Sequence, residues 1–253
     1  MKRLILFILL FILVMTISVI AHAPASFALK YMPVIRGLMI ESPSGTIWHG
    51  EAKNVRWKGN NIGQVRWQFS PKKLLEGKAN YHVRFGKGSD FKAMGKGNVG
   101  YGLSGLFADN IVLSMPAENV LQQLNLPLPM NVEGLVELSI SDYHYAQPWC
   151  QSASGTLVWN SSKIASPVGE LDLGSLITDL TCEDSKIMLT GEHDNQQISA
   201  AVDMVLENNL RYKANAWFKP NAYFPAEMKS QLKWLGDPNN KGQYTFTYAG
   251  RVN

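Results

Sequence analysis

Short runs in which apolar and polar residues alternate recur along most of this chain, and they constrain its fold more than any other feature. The segments 55–57 and 65–69 both alternate, and an Asn- and Gly-containing segment, 59–63, separates them. Because successive side chains of a strand point to opposite sides, this pattern predicts an antiparallel hairpin with one buried face. The alternation returns at Ala79-Tyr81-Val83-Phe85, Val136-Leu138-Ile140, Ile198-Ala200-Val202-Met204, Tyr212-Ala214-Ala216-Phe218 and Tyr244-Phe246-Tyr248.

The sequence therefore predicts a mainly β fold, a curved antiparallel β-meander with a few short helices. One helix is expected from Ser70 to Leu75, with Ser70 as its N-cap and Gly77 after its end, and two more from Glu118 to Leu124 and from Ala226 to Leu235. A wide sheet with one apolar face must curl, pack against a second sheet or bind something else. What covers that face therefore bears on function.

An apolar run precedes the alternating segments. Residues Leu4 to Ala21 are apolar except for Thr16 and Ser18. At ~1.5 Å per residue, a helix of this length spans roughly 27 Å, close to the hydrocarbon thickness of a bilayer. Lys2 and Arg3 lie before the run, which places the N-terminus in the cytoplasm and the rest of the chain outside it.

A cleaved signal peptide is the alternative, because Ala21-His22-Ala23 fits a small-x-small cleavage pattern. Retention is favoured, since the apolar run is longer than the usual ~7–15 residues of a signal peptide. Pro24 would also be an awkward first residue after cleavage. We therefore expect a single-pass inner-membrane protein whose bulk is periplasmic, and export of that bulk holds in either case.

Two units follow from this topology. Residues 1–23 form the cytoplasmic N-terminus and transmembrane anchor, and residues 24–253 form a periplasmic β-rich domain. Ser44-Gly45-Thr46-Ile47 and Ser154-Gly155-Thr156-Leu157, each followed closely by a Trp, raise the alternative of two similar halves, about 37–145 and 146–253. No linker separates such halves in the sequence.

Charge and cysteine content narrow the function classes. The part after the anchor carries 22 basic and 20 acidic residues, far from the clustered positive charge of a nucleic-acid-binding protein. Its two cysteines, Cys150 and Cys182, are exported to an oxidising compartment, which predicts a disulfide. Two buried free thiols are the alternative, and a metal site is disfavoured because no Cys or His lies at ligand spacing.

The sequence contains no catalytic constellation. Residues 95–100 and 100–105 both spell GxGxxG, but apolar residues alternate through them, so the glycines indicate a bend or bulge in a strand rather than a phosphate site. The five histidines are scattered, and neither a GxSxG nor a Walker A sequence occurs. We expect no enzyme activity, no cofactor and no metal.

Seven tryptophans are the remaining candidates for binding. Trp57 and Trp67 share the parity of the apolar strand residues, which favours core packing. Trp217 lies on the opposite side of its strand from Phe218, which makes it the better candidate for an interface.

Several of these segments together resemble a known family. They are the anchor followed by Pro24-Ala25, then Ser44-Gly45-Thr46-Ile47-Trp48-His49-Gly50, Val55-Arg56-Trp57, Gly63-Gln64-Val65-Arg66-Trp67 and Leu74-Leu75-Glu76-Gly77. The chain resembles the protein N family of the bacterial type II secretion system. The resemblance implies an accessory inner-membrane component of the machinery that exports folded proteins from the periplasm across the outer membrane. It implies no catalytic residue.

Two hypotheses follow. The first is a non-enzymatic subunit that binds other inner-membrane type II secretion subunits through its anchor and sheet edges. The second rests on a more distant resemblance to AsmA-like envelope proteins, in which an apolar β-groove binds or transfers lipid. The second hypothesis requires an apolar face that the protein does not cover itself.

Overall fold

The computed structural model describes residues 2–31, 37–124, 131–167 and 169–251. Two helices open the chain: α1 (Lys2–Ala21) contains the apolar run, and α2 (Ala25–Lys30) follows Pro24. The stretch Leu4–Ala21 has a mean hydropathy of 3.2, and the rest of the protein buries none of it. The sequence provides the reason, since no charged residue interrupts the stretch and the helix has no polar face to turn toward water.

Thirteen strands follow in the described part of the chain, and they include all seven alternating runs named above. They are β1 (Leu38–Gly45), β2 (His49–Trp57), β3 (Asn60–Phe69), β4 (Ala79–Lys87), β5 (Met94–Gly102), β6 (Gly105–Pro116), β7 (Asn131–His144), β8 (Ser152–Ser166), β9 (Gly169–Glu183), β10 (Lys186–Asp194), β11 (Ile198–Leu206), β12 (Arg211–Pro220) and β13 (Tyr244–Arg251).

All thirteen strands form one open antiparallel sheet in which each strand pairs with its neighbours in sequence. β1 and β13 are therefore its two edges. The predicted mainly β meander behind an N-terminal apolar helix is confirmed. The hairpin that was predicted over residues 55–69 is formed by β2 and β3. Its turn is tighter than expected, because Trp57 pairs with Asn60 and only Lys58 and Gly59 lie between the strands.

The predicted helices are present, with two differences. A 3₁₀ helix spans Pro71–Glu76 and ends at Gly77, whose φ of 71° suits glycine, but the Ser70 side chain makes no capping hydrogen bond. Helix α3 spans Ala117–Leu124. The third segment is split into α4 (Ala226–Lys229) and a 3₁₀ helix (Leu232–Leu235).

Cross-strand pairing gives the sheet two faces of different character. One face, called the apolar face below, includes Val65, Val83, Leu113, Leu138, Leu157, Met204 and Phe218. The other, called the polar face, includes Arg66, Arg84, Lys96, Ser139, Thr156, Asp179, Thr190, Asp203, Asn215 and Thr247. Each paired set shares a face because directly opposite residues of an antiparallel pair point the same way.

The apolar face is covered over only part of its width. Phe224, which lies in the segment between β12 and β13, packs with Leu173 and Ile198, and all three are at most 7 % exposed. Met228 and Leu232 from the same segment pack against this cluster. Toward the N-terminal side, Tyr101 and Leu106 of the β5–β6 hairpin are 62 % and 52 % exposed. Among the described residues, this buried cluster therefore lies where the segment between β12 and β13 covers the apolar face of β8–β12.

Four glycines of the GxGxxG sequences, Gly95, Gly97, Gly100 and Gly102, lie within β5, and Gly105 begins β6, in agreement with the interpretation as strand residues. A Cβ at Gly97 would lie 2.8 Å from the Ile111 Cα, and one at Gly100 would lie 2.4 Å from the Ala79 carbonyl oxygen. The register shifts between Lys96 and Asn98. The glycines therefore let neighbouring strands approach closely, and no helix follows them.

The proposed boundary at residue 145 falls in the loop between β7 and β8. These strands pair from Asn131 with Ala165 to His144 with Ser152, so the sheet runs through this point without a break. The division into two similar halves stays a prediction.

Candidate membrane and interaction surfaces

The end of α1 is joined directly to the turn between β1 and β2. The Trp48 indole Nε1 donates a hydrogen bond to the Ile20 carbonyl at 2.8 Å. The Ile47 amide donates to the Ala23 carbonyl at 3.0 Å, and Pro24 forms an isolated bridge with Thr46. These contacts satisfy carbonyl groups at the helix C-terminus, which lack partners within the helix. They fix the end of α1 relative to the sheet.

An apolar groove lies at this junction. Its walls combine Ile17 and Ile20 of α1 with Trp48, Phe69 and Leu74, and its volume is about 570 Å³. The Trp48 and Phe69 rings meet edge to face, with centroids 4.8 Å apart. The last turns of α1 therefore lie beside the 3₁₀ helix that follows β3.

Every second connection of the sheet lies at the end at which α1 is attached, and three of these loops join the strands nearest to α1 in sequence, β1 to β6. We call them the anchor-side rim: the β1–β2 turn (46–48), the β3–β4 connection (70–78) and the β5–β6 turn (103–104). Two of the chain's most exposed apolar side chains lie there, Leu75 at 93 % and Leu103 at 100 %. The connection also carries three lysines and a single glutamate.

The two sheet edges differ in what lies beside them. Helix α2 packs against β1, Pro24 forms a bridge with Thr46 just after that strand, and Ala25 of α2 is 2 % exposed. On β13, Thr245, Thr247, Tyr248 and Ala249 are exposed. Strand β13 has β12 as its one strand partner in the sheet, so a row of its backbone groups faces outward.

A polar network crosses the polar face from β4 to β6. Arg84 Nε lies 3.2 Å from His82 Nε2, and His82 Nδ1 lies 3.1 Å from Asn98 Oδ1. The Asn98 amide donates to Asp109 Oδ1 at 2.6 Å. His82 lies on the polar face as its sequence parity predicts, and here it belongs to a hydrogen-bonded chain.

Trp217 also lies on the polar face, opposite Ala201 and Thr245. It lines a groove of about 450 Å³ with Glu192, Asp203 and other residues of β10–β13. The side of the strand is as the sequence predicts. Its role in an interface stays a prediction.

Cys150 and Cys182 are joined in a disulfide, with their Cα atoms 6.5 Å apart. Both residues are buried, and the bond ties the loop before β8 to the end of β9. Tyr143 donates a hydrogen bond to the Trp149 carbonyl in the same loop. Burial, with a smaller contribution from Tyr145, raises the pKa of Tyr143.

The candidates for chemistry remain apart in space. Within the described ranges, no group of three His, Cys, Asp or Glu side chains could hold a metal ion. Sequence reasoning missed the two exposed leucines on the rim, Leu75 and Leu103. The signal that could have found them is the position of an apolar residue in a connection between two strands.

Comparisons with known proteins agree with one another. The family model of type II secretion system protein N matches residues 36–247. A type II secretion system protein N from Vibrio cholerae is 40 % identical over 252 residues, covering 100 % of both chains. Proteins of the same name from Aeromonas hydrophila and Klebsiella pneumoniae are 29 % and 26 % identical, covering 100 % of both chains and 82 % and 81 % of the two chains, respectively.

No solved structure matches the chain. The family model nevertheless spans most of the sheet, from just before β1 into β13, and the matches to the Vibrio cholerae and Aeromonas hydrophila proteins extend through α1. On this evidence the chain belongs to the type II secretion system protein N family.

Proposed function

We propose that this protein is an accessory inner-membrane component of the type II secretion machinery, and that it acts by binding other subunits rather than by catalysis. The observation that carries the proposal is the open edge at β13, combined with family membership. An unpaired strand edge is a template on which a partner strand can add hydrogen bonds. Helix α1 holds the protein in the membrane that contains the other inner-membrane subunits.

The edge at β13 is the better docking position of the two. Helix α2 and the Pro24–Thr46 bridge lie beside β1 and restrict a strand approaching from that side. The polar-face residues Thr245 and Thr247 of β13 are exposed and uncharged, so no charged side chain on these positions repels an incoming strand.

The proposal is tested by photo-cross-linking in cells that carry the whole secretion system. A photoreactive amino acid at Thr247 is expected to give adducts with inner-membrane secretion subunits. Thr181 provides a matched control, because it is also an exposed threonine on the polar face but lies in the central strand β9. Absence of such adducts at every exposed position of β13 would contradict the proposal.

The proposed location follows from α1. Lys2 and Arg3 precede the apolar run, and this charge pattern supports a cytoplasmic N-terminus and a periplasmic sheet. Alkaline phosphatase, which is active only after export, is expected to be active when fused after residue 251 of the full chain. An inactive fusion, with an active cytoplasmic reporter at the same position, would reverse the topology.

The lipid-transfer alternative depended on an uncovered apolar face. Tyr101 and Leu106 show that part of this face is open to solvent. The family match, however, names a secretion component, and the relatives share that name over their full length. The secretion role is therefore the function that we carry forward.

A further inference from the structure

We propose that the anchor-side rim lies on the surface of the membrane that holds α1, with Leu75 and Leu103 inserted at the boundary between lipid headgroups and acyl chains. The rim is the set of loops 46–48, 70–78 and 103–104 defined above. The occupant of this surface is the lipid bilayer itself. The inference rests on the proposed membrane location of α1 and adds to it how the sheet is held against the membrane.

The first argument is the position of the rim along the axis of α1. Leu74 and Pro71 line the same groove as Ile17, Ile20 and Ala21. Ile17 lies four residues before the end of the apolar run, roughly 6 Å along the helix axis. A groove shared with Ile17 therefore reaches into the depth that the apolar run occupies. The 3₁₀ helix beside it cannot stand far above the bilayer.

The second argument is the exposure of the leucines. Leu75 and Leu103 are 93 % and 100 % exposed in the chain alone. They lie on neighbouring loops, since a Cβ at Gly77 would be 3.8 Å from Leu103 Cδ1. Moving an exposed apolar side chain from water into the membrane interface lowers the free energy. A side chain beside a membrane anchor is in a position to make this transfer. Tyr101 and Leu106, also exposed, flank Leu103 on the apolar face.

The third argument is charge. The connection 70–78 contains Lys72, Lys73 and Lys78 against Glu76 alone. Lys73 is paired with Glu76 at 2.9 Å, and Lys78 lies over the Phe107 ring, with its Nζ 5.3 Å from the ring centroid. Lys72 is exposed in the 3₁₀ helix and has no ion pair within the described part of the chain. Exposed lysines around apolar side chains are suited to anionic headgroups.

The opposite end of the sheet provides a comparison within the molecule. Trp234, in the 3₁₀ helix before β13, is 78 % exposed and lies with the loops farthest from α1. An exposed aromatic residue at that end has no anchor residue beside it. Membrane contact is therefore expected at the rim and not at Trp234.

The test uses the full chain, with its disulfide intact, in nanodiscs of phosphatidylethanolamine and phosphatidylglycerol. Single cysteines replace Leu75, Leu103, Trp234 or Phe11 and carry a small environment-sensitive fluorophore. Lipids with a nitroxide near the headgroup or deep in the acyl chain quench the fluorophore at the corresponding depth. Labelling of one thiol per chain verifies that Cys150 and Cys182 remain paired.

We expect a loss of fluorescence from Leu75→Cys and Leu103→Cys with the shallow nitroxide, and little change from Trp234→Cys. Phe11→Cys, in the middle of α1, should be quenched by the deep nitroxide. Quenching of Phe11→Cys without quenching at either rim position would overturn the rim proposal and leave the anchor intact. No quenching of Phe11→Cys would overturn the proposed anchoring and this inference together.

A second measurement covers the case in which a label at one leucine disturbs the loop. Leu75→Asp and Leu103→Asp are combined in one chain, and hydrogen exchange of the β5–β6 turn is compared in nanodiscs and in detergent. The unaltered chain is expected to show slower exchange at this turn in nanodiscs, and the double variant is expected to lose that protection. Equal exchange in nanodiscs for both chains would contradict the proposal.

Discussion

The strands β8–β12 and the strands β3–β6 have the same alternating sequence pattern but reach different degrees of burial. In the first region, Phe224 covers Leu173 and Ile198, and a disulfide fixes the loop before β8. In the second, Tyr101 and Leu106 stay exposed although they lie on the apolar face. Alternation therefore determines which side chains share a face, whereas a separate covering segment determines whether they become a core.

The largest effect is expected from removing the cover. Phe224→Ala deletes a side chain that is 5 % exposed and packs with Leu173 and Ile198. We expect the free energy of unfolding to fall by about 3–5 kcal/mol, because a large buried ring leaves a cavity. Tyr101→Ala, on the open region, should change it by less than about 0.5 kcal/mol. Denaturant unfolding followed by tryptophan fluorescence measures both, and equal losses would contradict the comparison.

The disulfide is expected to have the next largest effect. Replacing Cys150 and Cys182 by alanine removes a cross-link between residues 32 positions apart. The free energy of unfolding should fall by roughly 3–4 kcal/mol on the chain-entropy model. Hydrogen exchange should show the loss of protection mainly in β8–β10. A uniform loss that includes β3–β5 would mean that the two regions unfold together.

A smaller loss of stability is expected from replacing a closely packed glycine in β5, within the open region β3–β6. Gly97→Ala places a Cβ 2.8 Å from the Ile111 Cα and should destabilise the protein by about 1–3 kcal/mol. Gly102→Ala in the same strand is the matched control, because its nearest neighbour is the flexible Lys78 side chain at 3.4 Å. Thermal unfolding of both variants measures the difference. Similar melting temperatures would show that strand contacts in β5 are looser than described.

The smallest effect concerns the attachment of the covering segment. Asn221 Nδ2 lies 3.3 Å from Asp194 Oδ1, and Ser199 donates a hydrogen bond to the same oxygen. Hydrogen bonds from Ser199 and Asn221 lower the pKa of Asp194. The stability that this carboxylate contributes is therefore present above its unfolded pKa, about 3.9, and is lost as the pH falls through the lower folded pKa.

Asp194→Asn removes this titration. The unaltered chain should be slightly more stable than the variant at pH 6, and the difference should vanish in acid. Unfolding midpoints measured between neutral pH and pH 3 test this, with Asp203→Asn as the control, an exposed carboxylate on the polar face of β11. A difference that grows in acid would contradict the assigned direction of the pKa shift.

The sequence predicted the strands because their periodicity is local and repeated. The helix α1, the meander and the side of Trp217 could all be read from one stretch of residues at a time. The segment that covers the apolar face could not be predicted in this way. Phe224 lies in a segment without alternation and packs against Leu173, which is far away in sequence. The hydrogen bond from Trp48 to Ile20 joins residues 28 positions apart and had no sequence signal either.

The GxGxxG sequences show that a short local motif does not by itself determine the structure around it. Their spacing matches a phosphate-binding motif, yet the motif depends on a following helix that supplies its amides and dipole. The alternation of Val99 and Tyr101 with glycines was the stronger signal, since it predicts a strand, and these residues lie in β5. A strand at this position lacks the following helix that a phosphate-binding motif needs.

The strictly sequential order of the strands has a consequence for how the protein can be assembled. Each strand finds its partner in the segment that directly follows or precedes it, so most pairings close short loops, and the longest connection is the segment 221–243 between β12 and β13. In the proposed topology the exported part leaves the translocation channel beginning with the segment next to α1, so it can add one strand after another to a sheet already fixed to α1. The segment that carries Phe224 emerges near the end, and the core it completes would form last.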